Sequence, residues 1–319
     1  MEYQNVGGLN CIIFIVEEVM STIDIAMATY NGEQFISDQI NSIIEQTHQD
    51  WVLYISDDGS TDQTIDIINN FASKDSRIKL INTDRQGGVI PNFNKALEYT
   101  NAEFVSLSDQ DDIWPVDRLE ILINEVSKNN ETKQPQLIFT DLTLVDEDGV
   151  VISESFYRGS GINPLENLEG YNLLWKCTIY GCTTIMNRAL LDITLPIPLN
   201  AHMHDQWLSM KAYQNKGLKY LNSSSIYYRQ HEDNVVGGTN RSFLDRLLNA
   251  KRSASNLFTK AKNTKSYLKQ HDGLYFQDRS FRTRKDFFGF ALAEIFPNIF
   301  KTKKKVQTLV FLTGFLLSK

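Results

Sequence analysis

The sequence predicts an α/β fold, a Rossmann-like, mostly parallel central sheet flanked by helices, with a basic helical extension at its C-terminal end. Three observations carry this. Short runs rich in Ile and Val alternate with longer segments of helical period, the pattern of strand-helix-strand units on a parallel sheet. Each early strand ends in a polar turn containing Gly or Asp. After Asp141 the alternation fails, so the second half is expected to be mixed.

The first apolar run, residues 23–28, reads as a strand that leads into Thr29-Tyr30-Asn31-Gly32-Glu33. Gly32 suits a positive φ there, ahead of a helix near residues 34–46. Residues 51–56 form the second strand, followed by Asp57-Asp58-Gly59-Ser60-Thr61-Asp62, with Asp62 placed to cap a helix over 62–72. Residues 78–82 are the third strand, and Gly87-Gly88-Val89 precedes a helix near 91–99. The fourth, residues 103–107, runs into Ser108-Asp109-Gln110-Asp111-Asp112 before a helix near 116–127; residues 137–140 are the fifth. Asp146-Glu147-Asp148-Gly149 then reads as a hairpin turn between 142–145 and 150–153. A helix over 206–215 and the apolar run Ile226-Tyr227-Tyr228 follow. From Ser242 onward the pattern is helical, with Pro297 the main interruption.

In open parallel sheets ligands bind beyond the C-terminal ends of the strands. The polar clusters after the first, second and fourth strands therefore converge on one crevice.

At 319 residues the chain exceeds the roughly 100–150 residues of a typical domain, so one large domain with an appendage is expected. Residues 1–20 read as an extension outside the fold: Leu9 to Val16 is apolar, but no basic residue precedes it, Glu17 and Glu18 follow, and no cleavage site is present. The main domain then spans 21–240, divided into 21–115 and 116–240, and the basic segment spans 241–319. Three cysteines, Cys11, Cys177 and Cys182, lack metal-ligand spacing and are odd in number, which argues against disulfides or zinc and for a reducing cytoplasm.

The net charge of −7 is unevenly spread. Residues 1–240 hold 15 Lys/Arg against 34 Asp/Glu, a net −19, whereas 241–319 hold 17 against 5, a net +12. Lys301, Lys303, Lys304 and Lys305 stand between two largely apolar helical stretches, each shorter than the roughly 20 residues that span a bilayer. Two readings stay open: a segment lying peripherally on an anionic membrane surface, or helices packed on the main domain. No nucleic-acid partner is expected.

Chemistry concentrates in Asp109-Gln110-Asp111-Asp112-Ile113-Trp114. Three carboxylates within four residues repel one another unless a cation joins them, which implies Mn²⁺ or Mg²⁺. Asp57 and Asp58 either accept hydrogen bonds from a base or ribose, or simply make a turn. Gly88 with Asn92 either brings bare backbone N–H groups to a phosphate or forms a plain loop. Trp114, Tyr180 and Trp207 either stack on sugar rings or fill the core. Cys182 has no base pattern near it and reads as a small buried residue.

Taken together, these clusters resemble family 2 glycosyltransferases of the GT-A fold, in the branch described as rhamnosyltransferases, over roughly residues 22–240. The resemblance implies a nucleotide-sugar half over 21–115 and an acceptor half over 116–240. It implies that Thr29, Tyr30, Glu33, Asp57, Asp58, Gly88, Asn92 and Asp109 meet the nucleotide-sugar. Asp109 and Asp111 would form the metal-binding Asp-x-Asp pair, and His231, in Arg229-Gln230-His231-Glu232-Asp233-Asn234-Val235, a third ligand. Trp114, Gly181, Cys182 and Trp207 would lie on the acceptor side. Asp205, in His204-Asp205-Gln206-Trp207, stands where the family has its acceptor-side acid, the general base of an inverting transfer; His204 replaces the family's usual Glu. As a residue, Asp205 is equally placed to cap the helix that follows. The donor implied is dTDP-L-rhamnose, with a UDP-hexose donor as the alternative, and the acceptor a saccharide or lipid-linked glycan of the cell surface. A receiver domain shares paired acids at strand ends but is shorter and needs a lysine context missing here, and a non-catalytic sugar-nucleotide-binding relative would lack Asp205.

Overall fold

The protein is described by a computed structural model covering residues 22–128, 133–169, 172–231, 243–270, 281–301 and 305–318. The extension expected over 1–20 and the boundary expected at 240 lie outside these residues. The chain begins β1 (Ile23–Thr29), α1 (Ile36–Ile44), β2 (Trp51–Asp57), α2 (Thr64–Ala72), β3 (Ile78–Asn82), α3 (Val89–Leu97) and β4 (Phe104–Ser108). It continues α4 (Arg118–Ser127), β5 (Leu137–Val145), β6 (Val151–Ser153), α5 (Phe156–Ser160), α6 (Leu173–Lys176), β7 (Thr184–Asn187) and α7 (Arg188–Thr194). It ends α8 (His204–Gln214), β8 (Leu218–Arg229), α9 (Phe243–Gln270), α10 (Arg284–Phe290), α11 (Asn298–Lys301) and α12 (Lys305–Leu317).

One eight-stranded sheet has the order β3-β2-β1-β4-β7-β5-β6, with β8 also paired to β5. The pairs β1–β2, β2–β3, β1–β4 and β5–β8 are parallel, and β7 runs antiparallel between β4 and β5. Successive residues of a strand face opposite sides of a sheet. Ile25 and Met27, Phe104, Ile138 and Ile185 accordingly join α1, α2 and α4 in one core. Ala26, Val105, Leu137, Phe139 and Met186 join α3, α7 and α8 in the other. Because both faces are covered, β1 reads as a nearly unbroken apolar run.

The expected hairpin is present: β5 and β6 pair antiparallel, and Gly149 takes φ +81° in the turn. The cap position of α2 falls on Gln63, which makes no side-chain capping bond, rather than on the expected Asp62; Asp62, one residue earlier, accepts from the Thr64 amide at 3.0 Å. Two strands, β7 and β8, were not expected. β7 is only four residues long, and β8 carries Asn222-Ser223-Ser224-Ser225, a run with little strand propensity. It is held by polar ladders instead, with Ser225 Oγ 2.6 Å from Thr140 Oγ1 and Ser224 Oγ 2.8 Å from Thr143 Oγ1.

The C-terminal helices pack on the domain. Ala261 and Leu268 of α9, Phe287 and Phe290 of α10, and Phe311, Leu312 and Phe315 of α12 belong to the same core as the sheet face carrying Ala26 and Phe139. The helices α9 and α12 meet at Gly314, where a Cβ would stand 3.1 Å from Phe258 and 3.2 Å from Ala261. No helix among the described residues is long and apolar enough to cross a membrane. Lys303 and Lys304 of the expected basic cluster lie outside the described residues.

Candidate active site

The strand ends after β1, β2 and β4 open into a single cleft of about 1040 Å³. One wall comes from residues 28–32 with Asp58, Gly88 and Asn92, and the floor from Asp109, Gln110 and Asp111. The rest of the lining comes from 177–181, 202–206 and a face of α9, with Tyr228 and His231.

On the first wall, Thr29 Oγ1 donates to Asp57 at 2.7 Å, and the Asn92 side-chain amide donates to the Thr29 carbonyl at 3.1 Å. The Tyr30 turn is gripped by Gln110, which accepts from the Tyr30 amide at 2.8 Å and donates to its carbonyl at 3.1 Å. Two expected nucleotide contacts do not reach the cleft. Asp57 is buried, and its oxygens are taken up by Thr29 and by the amide and hydroxyl of Ser60, at 2.7 and 2.6 Å. Glu33 is not part of the lining, and its carboxylate accepts from the Gln63 amide at 2.8 Å.

Asp58 lines the cleft, but its carboxylate is engaged by the amides of Gln86, Gly87 and Gly88, the last two at 2.7 and 2.8 Å. The Gly87 and Gly88 N–H groups expected to face a phosphate therefore turn back on Asp58. Their φ of +91° and +130° favours glycine at both positions.

The floor is acidic and stratified. Asp111 faces the cleft, with its Oδ2 2.9 Å from His231 Nε2, and the His231 ring packs on Phe35 at 4.8 Å. Burial, and then the Asp111 charge, push the Asp109 carboxyl up to about 7. Asp112 lies deeper, beside Cys182, and burial followed by the charge of Asp111 raises it well above the carboxylate range. Cys182 is driven up by the same burial, so its thiol is a weak ligand for Mn²⁺ or Mg²⁺. Of the acidic groups, Asp109 and Asp111, with His231, border the cleft, whereas Asp112 and Cys182 do not. These two carboxylates and one imidazole suit Mn²⁺ or Mg²⁺.

Two arginines hold this floor: Arg118 was not singled out in the sequence, and Arg229 was named only as the first residue of the His231 segment. Arg118 is fully buried below Asp112, stacked on Trp114 at 4.3 Å, and bridges the Cys182 carbonyl at 2.6 Å to Ser225 Oγ at 2.6 Å. Burial lowers its guanidinium only to about 10, so it remains a cation near neutrality. Arg229 reaches back from β8 to the Asp111 carbonyl at 3.2 Å and to Asp38 at 3.0 Å, and so fixes the approach to His231.

Asp205 stands in the first turn of α8 and lines the cleft. Burial raises its carboxyl to about 6 against hydrogen bonds from the Gln206 amide, at 2.5 Å, and the Gly181 amide. Gly181 is required by crowding, since a Cβ would stand 2.5 Å from His204 Nε2. His204 stacks on Phe93 at 4.1 Å and is pushed down to about 3 by burial, so it is neutral and cannot replace a charged Glu beside Asp205.

Three expected acceptor-side residues are buried away from the cleft. Trp114 packs on Arg118 in the core, Cys182 sits under the acidic floor, and Trp207 donates Nε1 to the Thr194 carbonyl at 2.9 Å. Tyr180 does border the cleft, with Tyr228 at 5.7 Å.

The family model described as Glycosyl transferase family 2 matches residues 24–138. An Escherichia coli protein, UDP-Glc:alpha-D-GlcNAc-diphosphoundecaprenol beta-1,3-glucosyltransferase WfgD, is 30% identical over 205 residues, 64% of this chain and 74% of that protein. The chain belongs to glycosyltransferase family 2. As a family 2 glycosyltransferase it is an enzyme that uses a nucleotide-sugar donor. The Shigella flexneri dTDP-rhamnosyl transferase RfbG is also 30% identical, over 66% of this chain and 73% of its own. Among solved structures, S. aureus TarS 1–349 in complex with UDP-GlcNAc superposes with a TM-score of 0.53 at 19% identity, covering 92% of this chain and 89% of that one. A mannosyltransferase from Pyrobaculum calidifontis in complex with GDP-Man and Mn2+ gives 0.52 at 14% identity, over 93% and 87%. At these identities the likeness establishes the GT-A type of fold.

Proposed function

We propose that this glycosyltransferase performs an inverting transfer in cell-surface polysaccharide synthesis, with Asp205 as general base and Asp109, Asp111 and His231 as the metal ligands. The observation that carries this reading is one cleft lined by Asp109, Asp111 and His231 together with Asp205, whose charge Asp109 feels. In such a transfer the acceptor hydroxyl attacks the anomeric carbon from the face opposite the nucleoside diphosphate. Its proton passes to a carboxylate, and the C–O bond to the diphosphate breaks with the electron pair leaving on phosphate oxygen. Asp205, with its carboxyl near 6, is ionised at neutral pH yet more basic than an ordinary carboxylate. When bound, the ion supplies positive charge to the departing diphosphate. Thr29, Tyr30 and Asn92 border the space for the nucleotide-sugar, and Asp57 and Asp58 hold the turns that shape it.

For the donor the reading is dTDP-L-rhamnose, the sugar of RfbG, with UDP-glucose, the sugar of WfgD, as the second reading at the same identity. The lipid diphosphate named in WfgD makes a lipid-linked acceptor the natural class. With Mn²⁺ present, the true donor at a hundred times its Kd is expected to stabilise the protein by about 2.7 kcal/mol and to be slowly hydrolysed. Thermal melts and nucleotide release with dTDP-rhamnose, UDP-glucose and UDP-GlcNAc check this. A chain that neither melts higher nor releases nucleotide with any of them lacks the proposed activity.

The C-terminal helices also support peripheral membrane contact. Phe288, Leu292, Phe296 and Phe300 recur every fourth residue and are exposed, as are Val306, Leu309 and Leu317. They belong to the segment of net charge +12 described above. Apolar side chains flanked by cations suit the headgroup region of an anionic bilayer. The protein is expected to float with phosphatidylglycerol vesicles at low salt and to be released at high salt, and Phe296→Ser with Phe300→Ser to weaken flotation. Absence of flotation at low salt would leave these residues to another partner.

A further inference from the structure

Asn256, Thr259, Lys260 and Asn263 recur at the three- and four-residue spacing that places them on one face of α9, and all four line the cleft. The segment that composition alone marks as a basic tail thus forms part of the wall that holds Asp205. Two amides and a hydroxyl are suited to saccharide hydroxyls, and one amine stands among them.

Lys260 is half-buried, and its ammonium forms no ion pair among the described residues. It lies near enough to Asp205 and to Cys177 to feel both. Burial lowers its pKa while Cys177 and Asp205 pull the other way, so the surroundings only partly balance the ammonium and an anion on a ligand would add to that balance. The fold does not need a charge there: the helix is anchored by Ala261 and Leu268 in the core, by the Gly314 crossing, and by Thr264, which is 2.8 Å from His202 Nε2.

We propose that the α9 face is the acceptor wall of the cleft and that Lys260 binds an anionic group of the acceptor, a phosphate or a carboxylate close to the attacking hydroxyl. The proposal rests on the reading of Asp205 as the acceptor-side group. In the proposed reading the donor diphosphate is held at the metal by Asp109, Asp111 and His231, so the anion that Lys260 meets belongs to the second substrate. An amine beside the base also favours charged acceptors over neutral ones, because a neutral group removes water from the ammonium and adds no charge to that of Asp205.

The test uses the full chain with Mn²⁺ and the nucleoside diphosphate product bound, and three probes studied by calorimetry: alkyl-diphosphoryl GlcNAc, neutral alkyl GlcNAc and alkyl glucuronide. The native protein is expected to prefer a charged probe. Lys260→Met should erase that preference, a change of roughly 10–100-fold in the ratio of charged to neutral affinity, and Lys260→Arg should restore most of it. Preference for the diphosphate assigns the anion to a lipid-linked phosphate, and preference for the glucuronide to a sugar acid. Equal binding of charged and neutral probes by the native protein overturns the proposal, as does binding of none, or a preference that survives Lys260→Met. The reading of Asp205 fails separately, by transfer persisting in Asp205→Asn, whatever Lys260 binds.

Discussion

Asp205→Asn is expected to lower the transfer rate by roughly 10²–10⁴-fold while leaving donor affinity within a few-fold. The carboxamide keeps the shape of the side chain, and its oxygen can still accept from the Gln206 and Gly181 amides. It cannot take a proton from the acceptor hydroxyl, so the loss belongs to kcat rather than to donor binding. The same group sets a pH dependence. Burial holds the Asp205 carboxyl near 6, and the base works only when ionised, so kcat/KM is expected to fall as pH drops through about 6 and to level off above it. Asp205→Asn should remove that limb along with the rate. Product formation and calorimetric donor titration across pH, on both proteins, measure the two effects. A variant with native transfer would remove Asp205 as the base.

The first half of the fold was legible because its forces act locally. Ile25, Met27, Leu53, Ile55 and Phe104 are apolar because both sheet faces are covered, and the polar turns after β1, β2 and β4 stand where parallel strands must end. The second half was hidden because its determinants are long-range. β8 reads as polar until Thr140, Thr143 and Arg118 are set against its serines. Within the site, the sequence indicated which carboxylates gather but not which face the cleft. Asp57 and Asp58 look alike in the chain. Their neighbours Ser60 and Gly87-Gly88 turn both into holders of backbone, and only three-dimensional packing decides that. The α9 face was missed for a related reason: a polar stripe on a helix looks the same whether it meets solvent or substrate. Trp114 and Trp207 erred the other way, since aromatic residues near a site are drawn as readily into the core.

Removal of divalent metal is expected to abolish transfer, and Mn²⁺ or Mg²⁺ to restore it. Asp111→Ala should cost roughly 10²–10³-fold in kcat even at saturating metal, the scale of losing one electrostatic partner of a developing charge. The acidic floor gives this a second, activity-independent signature. The Asp109 carboxyl sits near 7 in the folded metal-free protein, against an ordinary 3.8, because burial and then Asp111 oppose its ionisation. Asp112 is raised for the same reasons. Between those values the folded chain holds protons that the unfolded chain has released, so stability is greatest at the acid end of the window and declines as pH rises toward 7. A bound cation reverses the balance by favouring the ionised carboxylates, and binding releases the protons. The melting temperature of chelated protein should therefore fall between about pH 5 and 7.5, and the increment from added Mn²⁺ should grow over that interval. Asp111→Ala should flatten both trends, because it removes a ligand and the charge that raises its two neighbours. A Mn²⁺ increment independent of pH, or unchanged in Asp111→Ala, would place the ion away from this floor.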